Sequence, residues 1–195
     1  MGHFDQIAKG YDKASLAWPW SWLRERECAA VLGASKGAFR GKALDLGSGA
    51  GYYTRVLLQM GALHVTAVDA SENMIAALGN DTRVRGVVSN AEAIDLASRF
   101  QYIVCAGLLE FVTDPFQVLT VARRHADNGC LMTVLVPRVN LWGKCYKFFH
   151  KRHKLKITLF QPNDIKALAE KAGWVVDDER WVWPFTYVLS VTPRQ

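Results

Sequence analysis

The chain has 195 residues, a length that fits one domain with a buried core. Because 50% of the residues are hydrophobic and 22% are charged, the composition excludes an intrinsically disordered chain and predicts a packed globular protein. The formal net charge of +6 would suit an anionic partner, but a charge of this size affects solubility before it indicates a function.

Cysteine spacing and hydropathy exclude further classes. Cys28, Cys105, Cys130 and Cys145 form no Cys-x-x-Cys pair, so we expect neither a disulfide framework nor a metal site. No segment reaches the roughly 20 apolar residues of a spanning helix, and no basic start precedes an apolar run. We therefore expect a cytoplasmic protein.

The predicted elements begin with two helices, over 4–15 and 21–32, which can cover the sheet that follows. Short apolar runs then predict strands over 42–46, 63–68, 84–88, 102–106 and 131–136. Between them, apolar residues at helical spacing predict helices over 52–60, 72–78 and 115–125. Ser71 and Asp114 are typical of helix N-caps, and Pro115 of a first helical position.

The chain closes with a predicted helix over 163–172, ended by Gly173, and with strands over 174–176 and 185–191. Alternating strands and helices are typical of a doubly wound α/β fold. We expect a Rossmann-like, mostly parallel seven-stranded sheet with an antiparallel edge hairpin at the C-terminus. We expect one domain over 1–195, with a helical cover (1–40), a cofactor-binding core (41–136), an acceptor-side insertion (137–160) and a closing helix and hairpin (161–195).

A glycine-rich turn follows the first predicted strand, in the sequence Asp45-Leu-Gly-Ser-Gly-Ala-Gly51. Glycines tolerate positive φ and carry no Cβ, so a ligand can approach the backbone at the helix start. Asp69 ends the second strand, where an acid can accept hydrogen bonds from ribose hydroxyls. The alternative is structural: a tight turn, and a carboxylate that caps the next helix. The glycine spacing departs from the G-x-G-x-x-G of dinucleotide sites, and Asp45 would repel a pyrophosphate but attract an ammonium group.

This turn and Asp69 resemble motif I and the motif II acid of class I S-adenosylmethionine-dependent methyltransferases. Residues 4–12, Phe-Asp-Gln-Ile-Ala-Lys-Gly-Tyr-Asp, resemble the opening of the ubiquinone/menaquinone biosynthesis-like branch, also called methyltransferase type 11. Residues 89–92 and 109–115 resemble two further segments of that branch. The resemblance covers residues 3–136 well and the remainder more loosely.

The resemblance implies S-adenosylmethionine as the cofactor. Asp45 and Gly47 would neighbour its methionine part, Asp69 would bind the ribose, and Asn90 with Ala91 would contact the adenine. The implied cofactor-binding residues are Tyr11, Asp45, Gly47, Ser48, Gly49, Gly51, Asp69, Ala70, Asn90, Ala91, Cys105 and Ala106. Cys105 and Ala106 would face the transferred methyl group, or would simply pack at a strand end. Phe111 stands where the family often has a histidine, which excludes that histidine as a base here.

Two additions to the core are candidates for acceptor binding. Trp18, Trp20 and Trp22 either wall an aromatic or prenyl pocket or pack on the core. Residues 141–156, which include Tyr146, mix apolar and basic residues. This segment fits a peripheral membrane contact, a clamp for a phosphate or carboxylate, or a solvated face above the core. No sequence motif indicates a nucleic-acid partner.

These features predict methyl transfer to a small molecule that is hydrophobic or aromatic. A base is needed only if the acceptor is a neutral hydroxyl. Glu110, just beyond the fourth strand, is a weak catalytic candidate that we expect to be a solvated loop acid, and no histidine is expected to act. Two alternatives stay open: a nicotinamide-dependent oxidoreductase, which the glycine spacing disfavours, and a noncatalytic binding protein of methyltransferase fold.

Overall fold

The computed structural model describes residues 20–34, 40–152 and 155–195, with the side chains of Trp20 and Arg152 left undescribed. The helix expected over 4–15 lies outside the described residues, as do Tyr11 and Trp18. Along the chain the elements are α1 (Trp20–Ala34), β1 (Lys42–Leu46), α2 (Tyr52–Gln59), β2 (His64–Asp69), α3 (Glu72–Ala76), β3 (Val84–Val88), β4 (Phe100–Ala106), α4 (Pro115–His125), β5 (Ala126–Pro137), α5 (Leu141–Arg152), α6 (Pro162–Lys171), β6 (Trp174–Val182) and β7 (Thr186–Pro193).

The seven strands form one sheet in the order β3-β2-β1-β4-β5-β7-β6. The first five strands pair in parallel, and β7 runs antiparallel to both β5 and β6. This confirms the expected mostly parallel sheet with a C-terminal antiparallel hairpin. Strand order reverses at β1, whose neighbours are β2 and β4. Ligands of open α/β sheets bind at such a switch point, beyond the carboxyl ends of the strands.

Side chains that alternate along each strand supply two buried clusters, one on each face of the sheet. Ile103 and Cys105 of β4 belong to the cluster that α4 and α6 cover. Tyr102 and Val104 belong to the cluster that α1 and α2 cover. The sheet therefore has helices on both faces, as the strand-helix alternation predicts.

The helix boundaries follow from local signals. Ser71 Oγ accepts a hydrogen bond from Met74 N at 3.3 Å, and a carboxylate oxygen of Asp114 accepts one from Gln117 N at 3.1 Å. Gly173 follows α6 with a φ of +88°. The N-caps expected at Ser71 and Asp114 and the helix end expected at Gly173 are confirmed.

Two strands, β5 and β6, are much longer than expected. β5 starts at Ala126 instead of residue 131, and β6 extends to Val182 instead of residue 176. Along β6 every second residue is exposed, Asp177 and Glu179 among them. Residues 177–180 are all charged, so an apolar run marks only the first residues of this edge strand. In the described part of the chain, no helix is long and apolar enough to cross a bilayer.

Candidate functional site

The glycine-rich turn lies where the carboxyl ends of β1 and β2 meet. Gly47 N and Ser48 N both donate to Val68 O, at 2.8 and 2.9 Å, and Gly51 N donates to Ser48 O at 2.9 Å. Gly47, Gly49 and Gly51 all have positive φ, of +73°, +51° and +86°. L-residues rarely adopt this conformation, so the turn needs glycine at alternate positions.

Packing by the protein also requires two of these glycines. A Cβ at Gly47 would lie 2.9 Å from the Cβ of Leu108, and a Cβ at Gly51 would lie 2.6 Å from Cδ2 of Leu78. The space next to these two residues is therefore filled by leucine side chains. Their missing side chains let the turn sit tightly against the loop after β4 and the end of α3.

Asp69, at the end of β2, holds the turn from the other side. Its Oδ2 accepts from Gly49 N and its Oδ1 accepts from Ser71 N, both at 2.9 Å. Asp69 therefore does have the structural role considered as an alternative, because its carboxylate connects the turn to the start of α3. Each carboxylate oxygen still has acceptor capacity for a second donor. Asp69 can therefore brace the turn and bind a ligand hydroxyl together.

Asp45 lies beneath the turn and is only 1% exposed. Thr54 Oγ1 donates to its Oδ2 at 2.6 Å. Burial raises the pKa of Asp45 to about 7, with a further rise from the charge of Asp69 that the Thr54 hydrogen bond and the Arg55 charge oppose. The carboxyl is close to half protonated at neutral pH, and a ligand cation beside it would favour its charged form.

The segment expected to meet adenine forms a turn braced against α4. Asn90 is exposed, and its amide oxygen accepts from Glu92 N at 2.9 Å. Glu92 in turn accepts from Asp114 N at 2.7 Å. Ala91 is buried, whereas Ala70, beyond the end of β2, is exposed. Asn90 and Ala91 follow the carboxyl end of β3, on the same edge of the sheet as the turn.

Glu110 departs from expectation, since it is a buried residue and not a solvated loop acid. It is 4% exposed, and its Oε2 is buried with no hydrogen-bond partner in the described part of the chain. Burial raises the pKa of Glu110 to about 8, and the negative charge of Glu27 adds to the rise. The covering segment comes from 155–160, where Thr158 N donates to Glu110 O at 2.9 Å. That contact spans 48 positions of sequence, which local patterns do not reveal.

Two residues were missed by the sequence analysis, Glu27 on α1 and Tyr53 on α2, the helices that cover one face of the sheet. The carboxyl group of Glu27, on α1, accepts a hydrogen bond from Thr186 Oγ1, and burial raises its pKa to about 7. Tyr53 Oη is buried with no partner in the described ranges, and burial, then the charge of Glu27, raise its pKa well above its usual range. A signal was present for Glu27, because it shares a helix face with the buried Leu23 and Val31.

Cys105 lies on the strand next to the one that carries the turn, because it pairs with Leu46 of β1. It is fully buried at the end of β4, and Ala106 beside it is half-buried. Burial raises the pKa of the Cys105 thiol, and the charges of Glu110 and Asp45 add to the rise.

Aromatic side chains line the sheet edge beside Glu110. Tyr146 of α5 stacks on Phe185 with ring centroids 4.8 Å apart. Trp22 of α1 contacts the Trp183 ring edge-on at 5.5 Å and packs against the core cluster under α1. Trp22 thus packs against the core on one side and contacts the exposed Trp183 on the other, while the side chain of Trp20 is not described.

The histidines His64 and His125 lie away from this edge, as expected. His64 starts β2, at the amino end of the parallel strands. Both ring nitrogens of His125 have partners, since Nε2 accepts from Leu96 N at 2.9 Å and Nδ1 lies 2.8 Å from Val121 O. Over 20–34, 40–152 and 155–195, no group of three His, Cys, Asp or Glu residues could hold a metal ion.

Comparisons with known proteins agree with this geometry. The family model described as a methyltransferase domain matches residues 20–179. The ubiquinone biosynthesis O-methyltransferase of Pseudomonas fluorescens strain Pf-5 is 26% identical over 155 residues, which cover 70% of this chain. The chain spans 66% of that relative's length, and 40% of the length of the Pseudomonas entomophila enzyme of the same name.

Solved methyltransferase structures share the fold. The complex of the Haloferax volcanii Trm112 methyltransferase activator with a methyltransferase has a chain that superposes with a TM-score of 0.80 at 14% identity, covering 100% of this chain and 99% of the other. The 1,6-didemethyltoxoflavin-N1-methyltransferase of Burkholderia thailandensis gives 0.74 at 18% identity, covering 98% and 86%. The matched family model, the fold and the glycine-rich turn thus agree, and the chain belongs to the class I S-adenosylmethionine-dependent methyltransferases.

Proposed function

We propose that this chain transfers the methyl group of S-adenosylmethionine to a small acceptor that is hydrophobic or aromatic. The observation that carries the proposal is the positive-φ turn after β1, pinned to the end of β2 by Val68 and Asp69 at the switch point of the sheet. When bound, the donor supplies an electrophilic methyl group on a sulfonium. The protein's task is to hold donor and acceptor close, collinear and dry, which can contribute on the order of 7 to 11 kcal/mol.

The residues of the crevice fit this donor. Asp69 retains acceptor capacity for ribose hydroxyls, and buried Ala91 offers an apolar contact for adenine next to the Asn90 amide. Asp45, near half protonation at neutral pH, would gain its charge beside the ammonium group of the methionine part. The remaining proposed donor contacts are Gly47, Ser48, Gly49, Gly51, Ala70, Cys105 and Ala106, with Tyr11 proposed from the sequence alone.

The neighbouring aromatic residues support the acceptor class. Tyr146 and Phe185 stack beside the loop that holds Glu110, and Trp22 with Trp183 extends this apolar lining towards α1. Among the similar proteins, one is named for ubiquinone biosynthesis and another carries bound 1,6-didemethyltoxoflavin. Both names favour a small acceptor for this chain.

Calorimetry separates the proposed function from its alternatives. We expect S-adenosylmethionine and S-adenosylhomocysteine to bind and NADH not to bind. Binding of NADH alone would indicate the oxidoreductase alternative. Transfer of labelled methyl groups into a metabolite extract would exclude a noncatalytic binding protein, and donor binding without any transfer would support one.

We further propose that this chain is a cytoplasmic protein and that it contacts a membrane surface through α5. The inward face of α5 contains Gly143, which is buried, and Tyr146 and His150, which are half-buried. With about 3.6 residues per turn, the opposite face carries large apolar side chains. These are Leu141 (72% exposed), Trp142 (50%), Phe148 (65%) and Phe149 (53%). A monomeric soluble protein rarely exposes so many large apolar residues together, which supports an interface at this face.

Charge supports an anionic lipid surface as the occupant. Lys144, Lys147 and Lys151 follow each other at spacings of three and four residues, so they share one flank of the apolar face, and all are exposed. No acidic residue occurs from 141 to 152. Basic residues beside an outward apolar face are typical of interfacial helices. Trp142 also contacts Trp183 at 5.8 Å, so this face continues into the aromatic lining beside the crevice.

Liposome co-sedimentation tests this contact. We expect wild-type protein to bind vesicles rich in phosphatidylglycerol and not neutral vesicles. Replacing Trp142, Phe148 and Phe149 by serine should abolish binding, whereas Leu63→Ser, at an apolar residue 58% exposed elsewhere, should not. The membrane proposal is wrong if the wild-type protein does not bind anionic vesicles. If neutralising Lys144, Lys147 and Lys151 then weakens acceptor binding, the segment is a clamp for a phosphate or carboxylate.

A further inference from the structure

We infer that Glu110 and Glu27 form a carboxyl pair on the acceptor side of the crevice, and that Glu110 takes the proton from a hydroxyl or amino group as that group is methylated. This inference rests on the proposed methyltransferase function and names its acceptor class. It adds a catalytic residue, Glu110, and a positioning residue, Glu27.

The first observation is an unpaired oxygen. Glu110 follows the carboxyl end of β4, and its Oε1 lies 3.8 Å from where a Cβ at Gly107 would stand. Its Oε2 is buried and has no partner among the described residues. Burying a carboxyl oxygen without a hydrogen bond is costly, so such atoms are rare in folded proteins. A hydrogen-bond donor on the acceptor molecule would explain why this buried oxygen, next to a ligand crevice, has no partner in the protein.

The second observation is convergence of three elements. Glu27 comes from α1, Tyr53 from the first turn of α2 and Glu110 from the loop after β4. Ring contacts connect the loop of Glu110 to the start of β7: Phe111 and Tyr146 both contact His150, and Tyr146 stacks on Phe185, next to Thr186. The charge of Glu27 also raises the pKa of Glu110 and, separately, that of Tyr53. Tyr53 Oη is also buried and unpartnered in the described ranges. Thr186 Oγ1, on β7, fixes the Glu27 carboxyl by a hydrogen bond.

The position fits an acceptor and not the donor. The strand ends that carry the glycine-rich turn and the loop of Glu110 are neighbours in the sheet, because β1 pairs with β4. Asp45 lies under the glycine-rich turn, where the donor is proposed to bind. We place Glu110, in the loop after β4, on the side from which an acceptor would meet the methyl group. Phe111, with its ring 6.4 Å from that of His150, and the segment 155–160 shield this side from water.

The chemistry of the pair selects the acceptor. In their ionised forms the two groups repel a carboxylate or phosphate, but they accept from a neutral O–H or N–H and stabilise a protonated amine. In the proposed step the acceptor's O–H or N–H bond breaks and its proton passes to Glu110 Oε2. The freed electron pair forms the new bond to the methyl carbon, whose bond to sulfur breaks with its pair left on sulfur. Solvent then recovers the proton from Glu110.

Several titratable groups lie near the loop that holds Glu110. Glu27 of α1 raises the pKa of Glu110, Cys105 of β4 responds to its charge, and His150 of α5 contacts Phe111. Tyr53 of α2 and Arg24 of α1 interact electrostatically with Glu27. Only the carboxylate form of Glu110 can take a proton. Since its pKa is raised to about 8, that form increases as the pH rises through 8. The methylation rate should rise over the same range.

Carbon-13 NMR of glutamate-labelled protein, saturated with S-adenosylhomocysteine, tests the pair without turnover. We expect one carboxyl resonance that disappears in Glu110→Gln to titrate near pH 8. Glu27→Gln keeps an acceptor for Thr186 and should move that titration to lower pH, whereas Glu170→Gln, at an exposed position on α6, should not. The inference would be overturned if the Glu110 resonance titrates in the ordinary carboxylate range, or if Glu27→Gln leaves its titration midpoint unchanged.

A matched series of small benzenes bearing a hydroxyl, an amino or a carboxylate group then tests the acceptor class, with labelled donor. We expect methylation or binding of the hydroxyl and amino members only, and a loss of about a hundredfold to ten-thousandfold in kcat for Glu110→Gln with donor affinity unchanged. Methylation of the carboxylate member would overturn the inference. If wild type binds no S-adenosylmethionine, the proposed function itself fails; if donor binds and Glu110 titrates normally, only the carboxyl pair is wrong.

Discussion

Replacing Asp69 by alanine should damage the fold and donor binding by separable amounts. The carboxylate accepts from Gly49 N and Ser71 N at 2.9 Å, and each hydrogen bond to a charged group contributes about 1.5 to 3 kcal/mol. Both bonds are half-buried, so water recovers part of this, and we expect the free energy of unfolding to fall by about 2 to 4 kcal/mol. Loss of the proposed ribose contact should weaken donor binding by a further factor of about 10 to 100, or about 1.4 to 2.8 kcal/mol.

Urea denaturation and calorimetry with S-adenosylhomocysteine measure the two effects on the same samples. Asp69→Asn keeps one acceptor oxygen and should lie between wild type and Asp69→Ala in both measurements. Asp95→Ala, at an exposed loop acid, is the matched control and should change neither. If Asp69→Ala lowers stability but leaves the affinity of the folded protein unchanged, Asp69 only braces the turn and the ribose site lies elsewhere.

Three further predictions concern charge and backbone strain. Because burial raises the pKa of Asp45 to about 7, donor binding at pH 7 should release about half a proton, seen as a buffer-dependent calorimetric enthalpy that Asp45→Asn removes. Gly47→Ala should destabilise the protein by about 1 to 3 kcal/mol more than Gly79→Ala in urea denaturation, since both have positive φ but only Gly47 meets a neighbouring Cβ, that of Leu108 at 2.9 Å. The pKa of Glu110 is raised from 4.5 to about 8, so the folded state binds this proton more tightly than the unfolded state does. The free energy of unfolding therefore falls as the pH rises from 4.5 to 8. Glu110→Gln should stabilise the protein at pH 9 and have little effect on its stability at pH 4. Equal effects at both pH values would contradict this.

The strands and helices that the sequence predicted best are those whose signals are local. Val84–Val88 and Pro115–His125 match expectation at both ends, because an apolar run defines the first and Asp114 with Pro115 starts the second. β6 differs because its pairing with β7 extends past Val176 through charged residues. A pattern of apolar residues cannot report hydrogen bonds that a neighbouring strand supplies.

The two halves of the candidate site differ in the same way. The glycine-rich turn and Asp69 lie within 25 positions of each other, and their spacing alone suggests a nucleoside site. Glu27, Tyr53 and Glu110 acquire their properties from burial by distant segments, such as Thr186, which lies 159 positions from Glu27. Sequence spacing therefore predicts the proposed donor half, whereas the burial that defines the proposed acceptor half depends on the folded chain.

The energetic cost of these acids argues for their role. A carboxyl whose pKa is raised from 4.5 to about 8, as for Glu110, lowers the stability of the folded state at alkaline pH, and a glutamine of the same shape would not. Glu27 repeats this cost beside it, with a pKa raised to about 7. Structural ion pairs also shift pKa values, but burial is the largest cause of the rise for both acids, and the charge of Arg24 opposes that rise only in part for Glu27. Two destabilising carboxyls beside one crevice are better explained by chemistry with a ligand than by folding.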